Sequence, residues 1–78
     1  MAICFVLIKV APGSERNVYN KLSKILEVVE SHIVSGDYDV IVKLKVNDLK
    51  SLPILVSSKI RPIEGVKDTR TLTGLELK

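Results

Sequence analysis

In Gly36-Asp37-Tyr38-Asp39-Val40-Ile41-Val42-Lys43-Leu44-Lys45-Val46, the residues Val40, Val42, Leu44 and Val46 alternate with Asp39, Ile41, Lys43 and Lys45. Successive side chains on a strand point to opposite faces, so this pattern predicts a strand from Tyr38 to Val46 with one face buried and the other largely polar. Just upstream, residues 27–34 read Glu-Val-Val-Glu-Ser-His-Ile-Val and are closed by Ser35-Gly36-Asp37. The short turn makes this second β-rich segment the antiparallel neighbour of the first.

Further towards the N-terminus, residues 3–10 are apolar and β-branched almost without interruption and end at Pro12-Gly13, which predicts another strand. Ser14 offers a helix cap and Glu15 a favourable first-turn charge. Val18, Tyr19, Leu22, Ile25 and Leu26 then share one helical face. Beyond Asn47-Asp48, a second helix is expected, with Pro53 in its first turn and its end near Ile60, because Pro62 biases Arg61 away from helical angles. Glu64-Gly65 leads into a last strand, 66–77, with Gly74 as a candidate bulge and Leu72, Leu75 and Leu77 as an imperfect alternation.

The order βαββαβ predicts a ferredoxin-like α+β sandwich, a four-stranded antiparallel sheet with both helices on one face. The first strand then raises a question about the other face. Ile3, Phe5 and Leu7 oppose Cys4, Val6 and Ile8, so both of its faces are apolar, and the uncovered one needs a cover. The 78 residues leave none to spare, which points to a second copy and a dimer of the α+β barrel type.

Composition agrees. Val, Ile and Leu number 11, 8 and 10, too many for a disordered chain, while a domain this small buries only about 60% of its unfolded surface and needs a supplement. One cysteine, Cys4, and one histidine, His32, supply neither an internal disulfide nor a Cys/His zinc site, so oligomerisation is the supplement that remains. No metal or other cofactor is expected. The net charge of +3 comes from scattered basic residues with no run of three, which argues against direct nucleic-acid binding. The apolar run from Ala2 to Ile8 lacks a positive leader and a cleavage site, and no stretch reaches the roughly 18–20 apolar residues of a membrane span. A soluble, cytoplasmic protein with no membrane partner is expected.

Catalytic patterns are sparse. Cys4 reads as a buried hydrophobe and His32 as a strand surface residue, with nothing in the sequence to join them. The four glycines are isolated and form no phosphate cradle. Asp37 and Asp39 read as a polar hairpin. That hairpin nevertheless joins a glycine, two carboxylates and the Tyr38 phenol, and residues 65–71 supply hydroxyls near the start of the last strand. In this topology the last strand pairs with the first, so the two segments are expected to meet across a subunit boundary. Backbone N–H groups at the glycine turn suit a carboxylate, and carboxylate or hydroxyl acceptors suit an ammonium. An amino acid carries both.

With its apolar first strand, Gly36-Asp37-Tyr38-Asp39, a helix, Ile63-Glu64-Gly65-Val66, then Thr69 and Thr71, the chain resembles the effector-binding (RAM) domain of the Lrp/AsnC transcription regulators over residues 2–77. The resemblance implies a non-enzymatic, amino-acid-binding regulatory module, with homodimers assembled into octamers or decamers and the effector held between dimers. It assigns ligand binding to Gly36, Asp37, Tyr38, Asp39, Thr69 and Thr71, and a pocket wall to Leu55, Val56 and Ile60. Full-length members carry a helix-turn-helix domain ahead of this module. None can be fitted after Met1, so residues 1–78 are expected to form a single stand-alone RAM domain, acting on transcription of amino-acid metabolism indirectly, through full-length relatives or ligand buffering. The apolar wall favours an aliphatic effector, since a charged side chain would be left unpaired there. Two alternatives stay open: an ACT-like amino-acid-binding domain, whose ligand loop would be Ala11-Pro12-Gly13-Ser14, and a small dimeric α+β-barrel enzyme built on His32 and Tyr38.

Overall fold

The computed structural model describes residues 2–74. Strand β1 (Ala2–Val10) is followed by helix α1 (Glu15–Leu22), then strands β2 (Val28–Ile33) and β3 (Val40–Val46). A helical segment, 49–60, comes next, composed of a 3-10 turn (Leu49–Ser51), the short helix α2 (Leu52–Leu55) and a π-helical stretch (Val56–Ile60). Strand β4 (Val66–Thr73) completes the sheet, whose order is β2-β3-β1-β4 with every neighbouring pair antiparallel. The four-stranded α+β sandwich expected from the alternation is the fold.

Register decides which side chains meet. Cys4, Val6 and Ile8 sit opposite Leu44, Val42 and Val40, and directly opposed residues point to the same face. All six are fully buried, together with Val18 and Leu22 from α1 and Ile60 from the π-helical stretch. Leu52, Leu55 and Val56 join this core, so both helical elements cover the same face. The Cys4 thiol is pushed above its ordinary pKa by burial, which suits a packing role and not a nucleophile.

The other face carries Ile3, Phe5 and Leu7 of β1 opposite Lys45, Lys43 and Ile41 of β3. On the flanks, Glu30 and His32 come from β2, and Asp68, Arg70 and Leu72 from β4. Ile3, Phe5, Leu7 and Ile41 are only half-buried and Leu72 is 47% exposed, so an apolar stripe runs down the middle of an uncovered sheet face. Charged residues rim it. Glu30 meets His32 at 3.2 Å and Lys43 at 3.5 Å, and its carboxyl is held below the ordinary glutamate range, first by the His32 hydrogen bond and then by the Lys43 charge.

Several boundaries differ from the expectations. Helix α1 stops at Leu22 instead of running through Leu26, because the Ser23 hydroxyl donates to the Tyr19 carbonyl and the chain tightens into successive turns, Lys24 N–H to Lys21 O and Ile25 N–H to Leu22 O. Ile25 still packs on the core, but Leu26 is 90% exposed. Ser14 makes no side-chain cap; Glu15 folds back to accept the Gly13 N–H at 3.0 Å. The hairpin turn is longer than expected, since β2 ends at Ile33 and β3 begins at Val40. Arg61 keeps helical angles ahead of Pro62, its N–H bonded to Val56 O at 2.9 Å. Register shifts occur at Val29 and at Lys67, not at Gly74, whose N–H bonds to Ile3 O beyond the strand. Leu75 and Leu77 lie outside the described residues.

Candidate functional site

The residues expected to bind ligand fall into two groups, and β1 lies between them. The first is the turn 34–39. Gly36 has φ +135, a region that L side chains rarely adopt, and lets the chain reverse before β3. Asp37 is exposed, while Tyr38 and Asp39 are half-buried. Asp39 is also structural: Oδ2 accepts the Val10 N–H at 2.8 Å, its own N–H donates to Ile8 O at 2.9 Å, and its carbonyl accepts from Val34 N–H at 2.8 Å. These bonds tie the end of β1 to the start of β3, so the acidic turn is held against the sheet.

The second group is on the far side of β1. Thr69 and Thr71 pair with Ile8 and Val6, whose side chains are buried under the helices, so the threonines face the helical layer. There they line an open cleft of about 590 Å³ with Leu52, Pro53 and Val56, and with Ser57 and Arg61 from the π-helical stretch and its cap. Arg61 Nε donates to Thr69 Oγ1 at 3.3 Å. The volume falls within the usual range of roughly 300–1,000 Å³ for small-molecule sites, and the lining combines an apolar wall with a few polar groups.

Of the expected wall residues, only Val56 joins the threonines in this cleft. Leu55 turns to the opposite end of the sheet, and Ile60 is sealed in the core with no exposed surface. Gly36, Asp37, Tyr38 and Asp39 do not line the cleft either, although they occupy the same end of the sheet: Asp39 bonds to Ile8 on one side, and Thr69 pairs with Ile8 on the other. β1 lies between the two groups, which puts β3 and β4 two strand spacings of about 4.8 Å apart. Sequence reasoning missed Arg61, read there as one of the scattered basic residues. Its partner lies eight positions on, beyond the Ile63-Glu64-Gly65 turn, and no spacing rule connects them.

A larger cleft, about 700 Å³, opens at the other end of the sheet between Leu26, Val29, Val46, Ile54 and Leu55. Most of its charged groups are engaged, although the Lys45 ammonium makes none of the ion pairs found among the described residues. Lys59 binds Glu27 at 3.2 Å, and Asp48 accepts the Lys50 N–H at 3.0 Å through its carboxylate and the Ser51 hydroxyl at 2.7 Å through its carbonyl. Of the two clefts, only the smaller is lined by residues that the sequence pointed to as ligand-binding, Thr69 and Thr71.

The alternative sites fare poorly. Cys4 points into the helical face and His32 lies on the open face, so the sheet separates them. His32 binds Glu30 and Tyr38 lies in the hairpin turn, and no side-chain hydrogen bond joins the two. The loop 11–14 is engaged with Gly65 and with itself, Ala11 N–H to Gly65 O and Ser14 N–H to Ala11 O, and borders neither cleft. Among the described residues there is no group of three or more His, Cys, Asp or Glu able to hold a metal ion, and no helix long and apolar enough to cross a membrane.

Comparison with known proteins places this geometry in context. The profile of the Lrp/AsnC ligand binding domain matches residues 3–76. The chain is similar to the HTH-type transcriptional regulator FL11 of Pyrococcus furiosus, 36% identical over 96% of this chain and 49% of that protein. It is also similar to the leucine-responsive regulatory protein of Escherichia coli, 33% identical over 85% of this chain and 40% of that protein. Among solved structures, FFRP-DM1 superimposes with a TM-score of 0.90 at 37% identity, covering 96% of this chain and all of the other. The chain spans about half the length of the curated relatives it matches first. Those relatives are transcriptional regulators and the matching domain is a ligand-binding one, not an enzyme, so the chain belongs to the Lrp/AsnC ligand-binding domain family.

Proposed function

We propose that this chain is an amino-acid-sensing regulatory module that works as an oligomer and modulates transcription of amino-acid metabolism within the Lrp/AsnC system. One observation carries the reading: within a ligand-binding family, Thr69 and Thr71 open into a cleft that combines hydroxyl donors and acceptors with the apolar wall of Leu52, Pro53 and Val56. Such a lining suits an amino acid with an aliphatic side chain. The name of the leucine-responsive relative favours the same class.

The second half of the site comes from another subunit. Gly36, Asp37, Tyr38 and Asp39 do not line the same subunit's cleft, and a neighbouring dimer brings such a turn to it, supplying carboxylates for the ammonium. The uncovered stripe of Ile3, Phe5, Leu7 and Ile41 supports dimerisation through the sheets, and dimers then build the octamer or decamer. A thermal-shift screen of the purified chain against the twenty amino acids tests the reading: leucine or isoleucine should stabilise it most, by about 2.7 kcal/mol at a hundredfold excess over the dissociation constant. Tighter binding of lysine or glutamate would refute the aliphatic preference.

A further inference from the structure

The polar side of the cleft is cationic. Arg61 uses Nε for Thr69, and a guanidinium carries four further N–H donors. The ion pairs among the described residues are His32 with Glu30, Lys43 with Glu30 and Lys59 with Glu27, and none involves Arg61. No carboxylate lines the cleft: Asp68, which accepts the Thr69 N–H, borders an adjoining smaller pocket together with Arg61 but forms no ion pair with it. A cation with hydroxyls beside it and an apolar wall opposite is complementary to one end of a ligand only, the carboxylate, with an alkyl chain behind it.

The backbone is built for this placement. The Ser58 and Ser57 hydroxyls both donate to the Ile54 carbonyl, at 2.6 and 3.3 Å, occupying the acceptor that a regular α-turn would give to the Ser58 N–H. The turn that follows widens to the π pattern, closed by Arg61 N–H to Val56 O. One added residue in a turn rotates everything after it by about 100°, which changes the side of the helix on which Arg61 emerges. Single π-turns of this kind recur at functional sites.

We infer that Arg61 is the carboxylate-binding residue of the Thr69/Thr71 cleft, and that the cleft takes short aliphatic carboxylates without requiring an amino group, 2-oxo acids as well as amino acids. The inference rests on the reading of that cleft as the ligand site. The amino group is recognised, where it is recognised, by the acidic turn of another subunit.

Titration of the isotope-labelled full chain with three probes tests it: 4-methyl-2-oxopentanoate, leucine, and leucinol, which keeps the ammonium and lacks the carboxylate. The oxo acid and leucine should move the Thr69 and Thr71 amide resonances, and leucinol should not. Arg61→Gln, at an exposed position, should weaken both carboxylates at least tenfold with the rest of the spectrum unchanged, and Arg61→Lys should fall between. Unchanged oxo-acid binding in Arg61→Gln, equal binding of leucinol, or no shift with any probe overturns the inference. If leucine binds independently of Arg61 and perturbs residues 36–39, the amino-acid reading survives and this one falls. Oxo-acid binding through Arg61 with no response to any amino acid gives the reverse result.

Discussion

Asp39 illustrates how a single residue ties two strands and a turn together. Its bond to the Val10 N–H fixes the turn that presents Asp37 and Tyr38, so removing it disturbs more than one oxygen. Asp39→Ala should cost about 1–3 kcal/mol, because it leaves a part-buried N–H without a partner, whereas Asp39→Asn keeps an acceptor and should lose less than half of that in urea unfolding. A second residue-scale effect is acid sensitivity. The Glu27 carboxyl is lowered below its ordinary range, first by its own backbone N–H and then by Lys59, and Glu30 is lowered by His32 and Lys43. A lowered folded-state pKa means stability that is fully present above the ordinary glutamate value of about 4.3 and is lost as pH falls through the folded value. The melting temperature should therefore drop on acidification below about pH 4.5, and Lys59→Met should flatten part of that drop.

At the scale of elements, the alternation of Val40 to Val46 and the two apolar faces of Ile3 to Ile8 were legible because a strand has a strict period of two and each face meets one environment. The first helix was overread. Ile25 and Leu26 continue the helical spacing in the sequence, yet the Ser23 hydroxyl ends the helix and the tighter turns that follow send Ile25 inward and Leu26 outward. Thr69 and Thr71 were reached through the family resemblance and not through spacing, and Arg61 was not reached at all, since its position follows from a π-turn that no sequence periodicity announces. The joint between α1 and β4 is equally local. Gly65 has φ +102, and a Cβ there would lie 2.6 Å from Ser14 Cβ and 3.2 Å from Val18 Cγ2. Gly65→Ala should destabilise by about 1–3 kcal/mol, read from the shift in the urea midpoint, and a neutral result would mean that this packing is looser than described.

For the whole molecule, the helical layer covers one sheet face and leaves the other as an apolar stripe with a charged rim. Phe5 lies at its centre, opposite Lys43 and Leu72. Phe5→Glu should shift the sedimentation mass towards the monomer while leaving the helical core intact, because the substituted side chain faces away from that core; an unchanged mass would remove the sheet face as the dimer surface. The proposed activity of the molecule as a whole is binding of an aliphatic amino acid at the Thr69/Thr71 cleft. Calorimetric titration of leucine and isoleucine into the purified chain is the most direct test. Saturable heat that is lost in a Thr69→Val/Thr71→Val double variant of unchanged mass is the result predicted; no saturable heat with either amino acid, or heat undiminished in that variant, would contradict it.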